Sequence, residues 1–122
     1  LTRHPDLDGL HVTFAEPATE ALEVVRSLGK KNLKMSTVDF NSMVALDMIQ
    51  DGNICAIIVD RPYLFGHIMA TMVGYGALGK ELESSTYMGP IVSVSPENIE
   101  EEWLAGFGQE LPRELKRALE RR

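Results

Sequence analysis

The sequence predicts an α/β domain with a mainly parallel sheet. Continuous Val- and Ile-rich runs alternate with segments of helical spacing, at intervals of about 20–25 residues. Runs that are apolar on both faces are typical of parallel strands, which need helical crossovers between them. We therefore expect the element order βαβαβαβ. With 122 residues, the chain has room for a single domain.

The first two strands are expected at residues 9–15 and 33–39. Apolar and polar residues alternate over the first run, and Pro5 and Gly9 frame a turn before it. Between the two strands, apolar residues at helical spacing predict a helix that starts near Pro17 and stops at Gly29.

The second helix and the third strand form the central part of the pattern. Asn41 or Ser42 is expected to cap the helix, and Gly52 to end it. The apolar run 54–59 is the third strand, with Cys55 predicted as a small buried residue. The predicted buried stripe of the helix is Val44, Ala45, Met48 and Ile49.

A third helix is expected at residues 63–78, after Pro62. Its small-residue row is predicted to pack closely on the sheet. A fourth apolar stretch at 87–94 precedes a short acidic helix, and a charged, peripheral terminal helix follows. The face of the third helix carries Phe65, Ile68, Met69, Met72 and Gly76, and its small-residue row is Gly66, Ala70 and Gly74.

Composition and motifs argue against several function classes. The net charge is −6 and no basic patch is evident, so nucleic acid is not an expected partner. Three scattered histidines and one cysteine offer no zinc spacing, and we expect no metal and no cofactor. Hydrolase elbows and glycine-rich phosphate loops are missing. A receiver domain would need an acidic pair after the first strand and a lysine after the last, and neither is present.

Three carboxylates follow predicted strands. Glu16, Asp39 and Asp60 each fall at the carboxyl end of a strand, where ligands bind in parallel sheets. Carboxylates accept hydrogen bonds, so they suit the vicinal hydroxyls of a sugar. Phe40 and Tyr63 adjoin two of these acids and could cover the apolar face of a sugar ring. The chain is therefore predicted to bind a neutral polyol without reacting with it.

Each of these residues also has a purely structural interpretation. Asp39 could be a turn residue, Asp60 could flank the third helix, and Glu16 could be a surface acid at a helix N-terminus. Phe40 and Tyr63 could be core or rim residues.

Four stretches resemble the carboxyl-terminal part of a type 1 periplasmic solute-binding protein. These stretches are residues 1–10, 36–40, 49–66 and 92–99, and residues 51–66 are the most specific. This ribose- and galactose-binding family feeds sugar ABC transporters, and LacI-type regulators share its fold. The resemblance implies a three-layer αβα arrangement, of which this chain would be one incomplete lobe.

The resemblance also implies roles for individual residues. Asp39 matches an aspartate that binds sugar hydroxyls, and Asp60 stands where the family usually has a sugar-binding glutamine. Glu16 stands near a ligand-contacting position of the first strand. The stretch from Asp60 to Arg61 matches a hinge between two lobes, so the helix after it would expose apolar residues and need a partner.

The resemblance further implies where the domain ends and what it meets. Residues 1–104 would be the solute-binding part and residues 105–122 a charged helical tail. Residues 1–5 look like the end of a helix whose start is missing. The implied partners are a sugar or polyol, a missing amino-terminal lobe or a second copy, and a transporter permease. The implied location is periplasmic or extracellular, lipid-anchored in a Gram-positive organism.

Two alternatives to a transport function remain open at this point. One is the effector-binding domain of a LacI-type regulator, which has the same fold. The other is an acidic-site domain, either a Mg-dependent phosphotransfer or phosphatase enzyme or a receiver-like domain, with Mg²⁺ held near Glu16, Asp39 and Asp60 in the enzyme.

Overall fold

A computed structural model describes residue 1 and residues 3–122 and contains a four-stranded, mostly parallel sheet with five helices. The strands lie in the order β1-β2-β3-β4, and only the β3–β4 pair is antiparallel. This confirms the α/β class. The elements in chain order are β1 (Gly9–Val12), α1 (Ala15–Ser27), β2 (Lys34–Val38), α2 (Ser42–Ile49), β3 (Ile54–Val59), α3 (Pro62–Ala77), β4 (Val92–Val94), α4 (Ile99–Phe107) and α5 (Arg113–Leu119).

The first three strands follow the predicted parallel order. Helices α1 and α2 connect them and pack on each other and on the sheet. Leu22 and Val25 of α1 are fully buried, as are Met35 of β2 and Ile57 of β3. Helix α1 begins two residues before Pro17, which is tolerated in a first turn because N–H groups there lack a helical partner.

Helix α2 has the predicted cap and core face. The Asn41 side chain accepts hydrogen bonds from the backbone N–H groups of Met43 and Val44. The four residues of the expected apolar stripe are all buried. Capping satisfies N–H groups that would otherwise lack partners and is worth about 1 kcal/mol.

A buried aspartate, which we did not expect, ties α2 to its neighbours. The Asp47 side chain is 2% exposed, and its oxygens accept hydrogen bonds from Arg26 and from the backbone N–H of Ile54, both at 2.6 Å. A Cβ on Gly52 would lie 2.2 Å from Asp47 Oδ1. Gly52 therefore leaves room for the carboxylate that links α1, α2 and β3.

The fourth strand differs from the expectation. β4 runs antiparallel to β3, whereas a fourth parallel strand was predicted. A parallel crossover needs a helix that packs back on the sheet. Helix α3 instead packs mainly on α4 and contains no buried residue, so the predicted close packing of its small-residue row on the sheet is wrong.

Two further expectations are corrected. Cys55 is exposed rather than buried, because a register shift between β2 and β3 displaces it from the inward alternation. The terminal helix is not peripheral, since Leu115 of α5 is fully buried and α5 packs on α2. In the segment 1–5, expected to end a helix, residue 1 and residues 3–5 are non-helical, and Thr2 lies outside the described residues.

One face of the sheet carries the core, and the other is more open. Residues on the second face share a register across the strands and are partly or fully exposed. Within the described residues no helix is both long and apolar enough to span a membrane. The residues of the open face are His11, Ser36, Val38, Ala56, Ile58 and Ser93.

Candidate functional site

A cavity of about 210 Å³ lies at the carboxyl ends of β1, β2 and β3. The parallel arrangement brings residues together there that lie far apart in the sequence. The cavity combines two carboxylates with an apolar and aromatic wall. Its lining residues are Ala15, Glu16, Asp39, Phe40, Val59, Pro62, Gly106 and Phe107.

Asp39 lies at the centre of this edge and has an unusual backbone. Its φ is +61°, a left-handed conformation that few residues other than glycine adopt, although aspartate is among the most tolerant. Its backbone N–H donates to the carbonyl of Ile58 at 2.7 Å, which continues the β2–β3 pairing by one residue. That bond fixes the aspartate at the point where β2 turns into the loop before α2.

The acids of this edge influence one another. Burial raises the pKa of Asp39 above its ordinary value, and the charges of Asp60 and Glu16 raise it further. Glu16 lines the cavity from the first turn of α1. Asp60 follows β3 and is exposed at the rim rather than in the lining. The three predicted carboxylates therefore share one edge, with two of them in the cavity.

The two predicted aromatic residues occupy different places. Phe40 is 5% exposed and belongs to an aromatic cluster, with ring centroids 5.0 Å from Trp103 and 5.3 Å from Phe107. It is a core residue that forms part of the cavity wall. Tyr63 lies outside the lining, 54% exposed, with its ring 5.0 Å from that of His67 and against the backbone of Gly108.

Arg61, between β3 and α3, forms an ion pair with Glu102 of α4. Its guanidinium makes hydrogen bonds of 2.9–3.1 Å to both carboxylate oxygens of Glu102, whose side chain is 5% exposed. These hydrogen bonds raise the pKa of Arg61. Its partner Glu102 lies 41 residues away on α4, and the sequence analysis did not predict this pair. Arg61 also adopts a left-handed conformation, with φ +57°.

Gly106 and Phe107 of α4 were not predicted as cavity residues. They belong to the stretch 105–122 that was expected to be a charged helical tail. The useful signal was the spacing of Trp103 and Phe107, four residues apart on one helix face. Their ring centroids lie 4.7 Å apart, and both pack on Phe40.

The spatial grouping of side chains that can bind metal ions bears on the magnesium alternative. Among residue 1 and residues 3–122, no group of three or more His, Cys, Asp or Glu side chains is placed to hold one. Glu16, Asp39 and Asp60, which the magnesium alternative requires, do not form such a group.

Comparison of the sequence with models of protein families and with curated proteins found no match. The resemblance to type 1 solute-binding proteins therefore stays a prediction from the residues quoted above. The chemistry of the site consists of carboxylate acceptors at the carboxyl ends of the strands, beside a partly aromatic wall.

Proposed function

We propose that this chain binds a sugar or related polyol at the carboxyl ends of β1, β2 and β3, as a non-catalytic solute-binding domain. The observation that carries the proposal is the cavity in which Glu16 and Asp39 face an apolar wall formed by Phe40 and Phe107. A sugar has hydroxyl donors on its rim and C–H groups on its faces. Both parts of the cavity have a matching partner in such a ligand.

The hydrogen-bonding state of the carboxylates supports this interpretation. Among the residues described here, none donates a hydrogen bond to the side chains of Glu16, Asp39 or Asp60. Arg61, the cation next to Asp60, is engaged by Glu102. The acceptor oxygens are therefore available to the hydroxyl groups of a ligand.

The resemblance supplies the biological context of the proposal. On that basis the chain would be the carboxyl-terminal part of a periplasmic or extracellular binding protein that delivers a sugar to an ABC-transporter permease. Ligand binding would close a second lobe over the cavity, in a three-layer αβα domain of which the open sheet face would be covered. Closure of this kind follows when the ligand contacts both lobes better in the closed state.

The test is calorimetric titration of the purified chain with pentoses, hexoses and polyols at pH 7. Because one lobe supplies only part of the contacts, we expect a dissociation constant of about 1 mM or weaker for the preferred sugar. Asp39→Asn should weaken that affinity at least tenfold, since the amide replaces one acceptor oxygen with a donor.

Asp51→Asn is the matched control. Asp51 also has a left-handed backbone, with φ +53°, and lies outside the cavity. Sugar binding should be unchanged in this variant. The proposal fails if no sugar binds the folded chain at concentrations up to about 50 mM, which covers very weak affinities. It also fails if only Mg²⁺ binds, or if both variants lose affinity equally.

A further inference from the structure

The charge at the candidate site has one sign only. Burial raises the pKa of Asp39, and the charges of Asp60 and Glu16 raise it further, so the three carboxylates are close enough to repel one another. Among the described residues that line the cavity, none is a lysine, an arginine or a histidine. A ligand that enters the cavity therefore meets a negative potential.

The basic residue next to this edge does not balance its charge. Arg61 follows Asp60 in the sequence, but its guanidinium makes three hydrogen bonds to the carboxylate of Glu102. Those two side chains together carry no net charge. Within residue 1 and residues 3–122, no ion pair involves Glu16, Asp39 or Asp60. The edge thus holds up to three uncompensated negative charges at neutral pH.

The rest of the cavity indicates an organic cation rather than a metal ion. Phe40, Val59, Pro62 and Phe107 form an apolar wall beside the carboxylates. A divalent metal ion prefers oxygen ligands on all sides, and the described side chains contain no group of three that could hold one. An organic cation offers a charged donor to the carboxylates and C–H groups to the apolar wall. Aromatic rings also attract positive charge to their faces.

A neutral sugar matches the cavity less well than a positively charged one. Neutral hydroxyl groups supply hydrogen bonds, but they leave the repulsion among the carboxylates in place while the ligand excludes water from them. An ammonium group supplies hydrogen bonds that are shorter and stronger, and it compensates the charge. The volume of about 210 Å³ is below that of typical small-molecule pockets, which favours a single ring over a long polyamine.

We propose that the preferred ligand of this cavity is an amino sugar, a monosaccharide in which a protonated amine replaces one hydroxyl group. The ammonium group binds between Glu16 and Asp39, and Asp60 at the rim adds to the attraction. The remaining hydroxyl groups and the C–H groups of the ring use the same partners as a neutral sugar would. This inference rests on the proposed sugar-binding function and narrows its ligand from neutral to cationic sugars.

The test is calorimetric titration with matched pairs of sugars, glucose with glucosamine and galactose with galactosamine. At about pH 6 amines are protonated. Each ion pair at a partly exposed site is weak, but three carboxylates act on one cation, so the amino member of the preferred pair should bind at least about tenfold more tightly. Raising the salt concentration from about 0.01 M to about 1 M shortens the Debye length from about 30 Å to about 3 Å, which should reduce this preference and leave the affinity for the neutral sugar within about twofold.

Two variants separate the local charge from the charge of the whole protein. Glu16→Gln removes one carboxylate of the cavity and keeps its size, so the preference for the amino sugar should fall at least about threefold. Glu23→Gln is the matched control, since Glu23 is exposed on the same helix about 10 Å further along. The preference should be unchanged in this variant. Far-ultraviolet circular dichroism checks that both variants are folded.

The inference and the proposed function fail in different ways. A neutral sugar that binds the parent chain as tightly as its amino counterpart overturns the inference and leaves the proposed function standing. If no member of any pair binds, both are overturned. Methylamine carries the charge without the ring, and both are overturned as well if it binds as tightly as the amino sugar. A preference that Glu16→Gln and Glu23→Gln reduce equally overturns the inference, because the attraction would then come from the whole protein.

Discussion

The ion pair between Arg61 and Glu102 is the contact whose removal should reveal how the cavity wall is held. Arg61 joins β3 to α3, and Glu102 lies one residue before Trp103 on α4, the helix that supplies Phe107 to the cavity. Arg61→Asn removes the guanidinium but keeps a residue that tolerates the left-handed backbone. The substitution isolates the side-chain contact from backbone strain.

The expected magnitude follows from the burial of the two partners. Breaking a buried pair by removing one partner costs about 3–5 kcal/mol, because the remaining charge stays buried. Glu102 is 5% exposed but Arg61 is 26% exposed, so water already screens part of the interaction. We therefore expect Arg61→Asn to lower the free energy of unfolding by about 2–3 kcal/mol, or about 8–12 °C in Tm for a chain of this size.

Urea unfolding followed by tryptophan fluorescence measures this directly. Trp103 is the single tryptophan, is 8% exposed and adjoins Glu102, so it reports on α4 itself. Arg122→Asn is the matched control, since Arg122 pairs with Asp51 at 3.0 Å but both side chains are exposed, at 36% and 72%. That variant should lose no more than about 0.5 kcal/mol.

A second substitution tests the cause of the loss. In the Arg61→Asn background, Glu102→Gln removes the stranded charge and should recover at least about 1 kcal/mol relative to the sum of the single effects. Equal losses in Arg61→Asn and Arg122→Asn, or strictly additive effects in the double variant, would refute the argument that a buried charge pair holds α4 at the cavity.

Three further outcomes are expected. Gly52→Ala should lower the free energy of unfolding by about 2–4 kcal/mol, because its Cβ would displace the Asp47 carboxylate from charged hydrogen bonds. Gly76→Ala on the open side of α3 should be neutral or raise that free energy by up to about 1 kcal/mol. The midpoints of urea unfolding compare the two variants. Leu115→Ala should cost about 2–5 kcal/mol, since the side chain is fully buried, and a loss under 1 kcal/mol would show that α5 is dispensable. The raised pKa of Asp39 means that the folded state holds its proton more tightly than the unfolded state. The free energy of unfolding should therefore fall as pH rises from the ordinary pKa of 3.8 through the raised value. Asp39→Asn should remove that part of the pH profile and be more stable than the parent chain at pH 7, as urea unfolding at a series of pH values would show.

Local patterns were sufficient to predict the first half of the fold. The Asn41 cap, the apolar stripe of α2 and the Val- and Ile-rich strands each leave a signal within a few residues. Parallel pairing of β1, β2 and β3 then follows from the helical crossovers between them. In this region, the contacts that define the fold follow from patterns within single elements and from the connections between successive elements.

The second half depends on contacts that no local pattern contains. The direction of β4 is set by where α3 packs, and α3 looks like a sheet-covering helix in sequence because it is uniformly apolar. Arg61 and Glu102 are 41 residues apart and belong to no periodic pattern. Leu115 was predicted as peripheral because charged neighbours dominate the composition of α5, although one apolar residue per turn is enough to anchor it on α2.

In the candidate site, too, some features were predictable from the sequence and others depend on distant contacts. The rule that ligands bind at the carboxyl ends of parallel strands located Glu16 and Asp39 in one cavity, although their roles as ligand contacts stay predictions. The rule says nothing about which way an aromatic ring turns. Phe40 faces the core because Trp103 and Phe107 offer it an apolar cluster, and Tyr63 faces away with the first turn of α3.

The size of the cavity bears on the affinity expected of the proposed sugar site. At about 210 Å³ it is smaller than the 300–1,000 Å³ typical of pockets that enclose a small molecule. A sugar held there would keep one face in water, which accounts for the weak affinity that we expect of the single chain. Pro62 lines the cavity and also begins α3, so a surface that covered the start of α3 would stand beside the open face of the ligand.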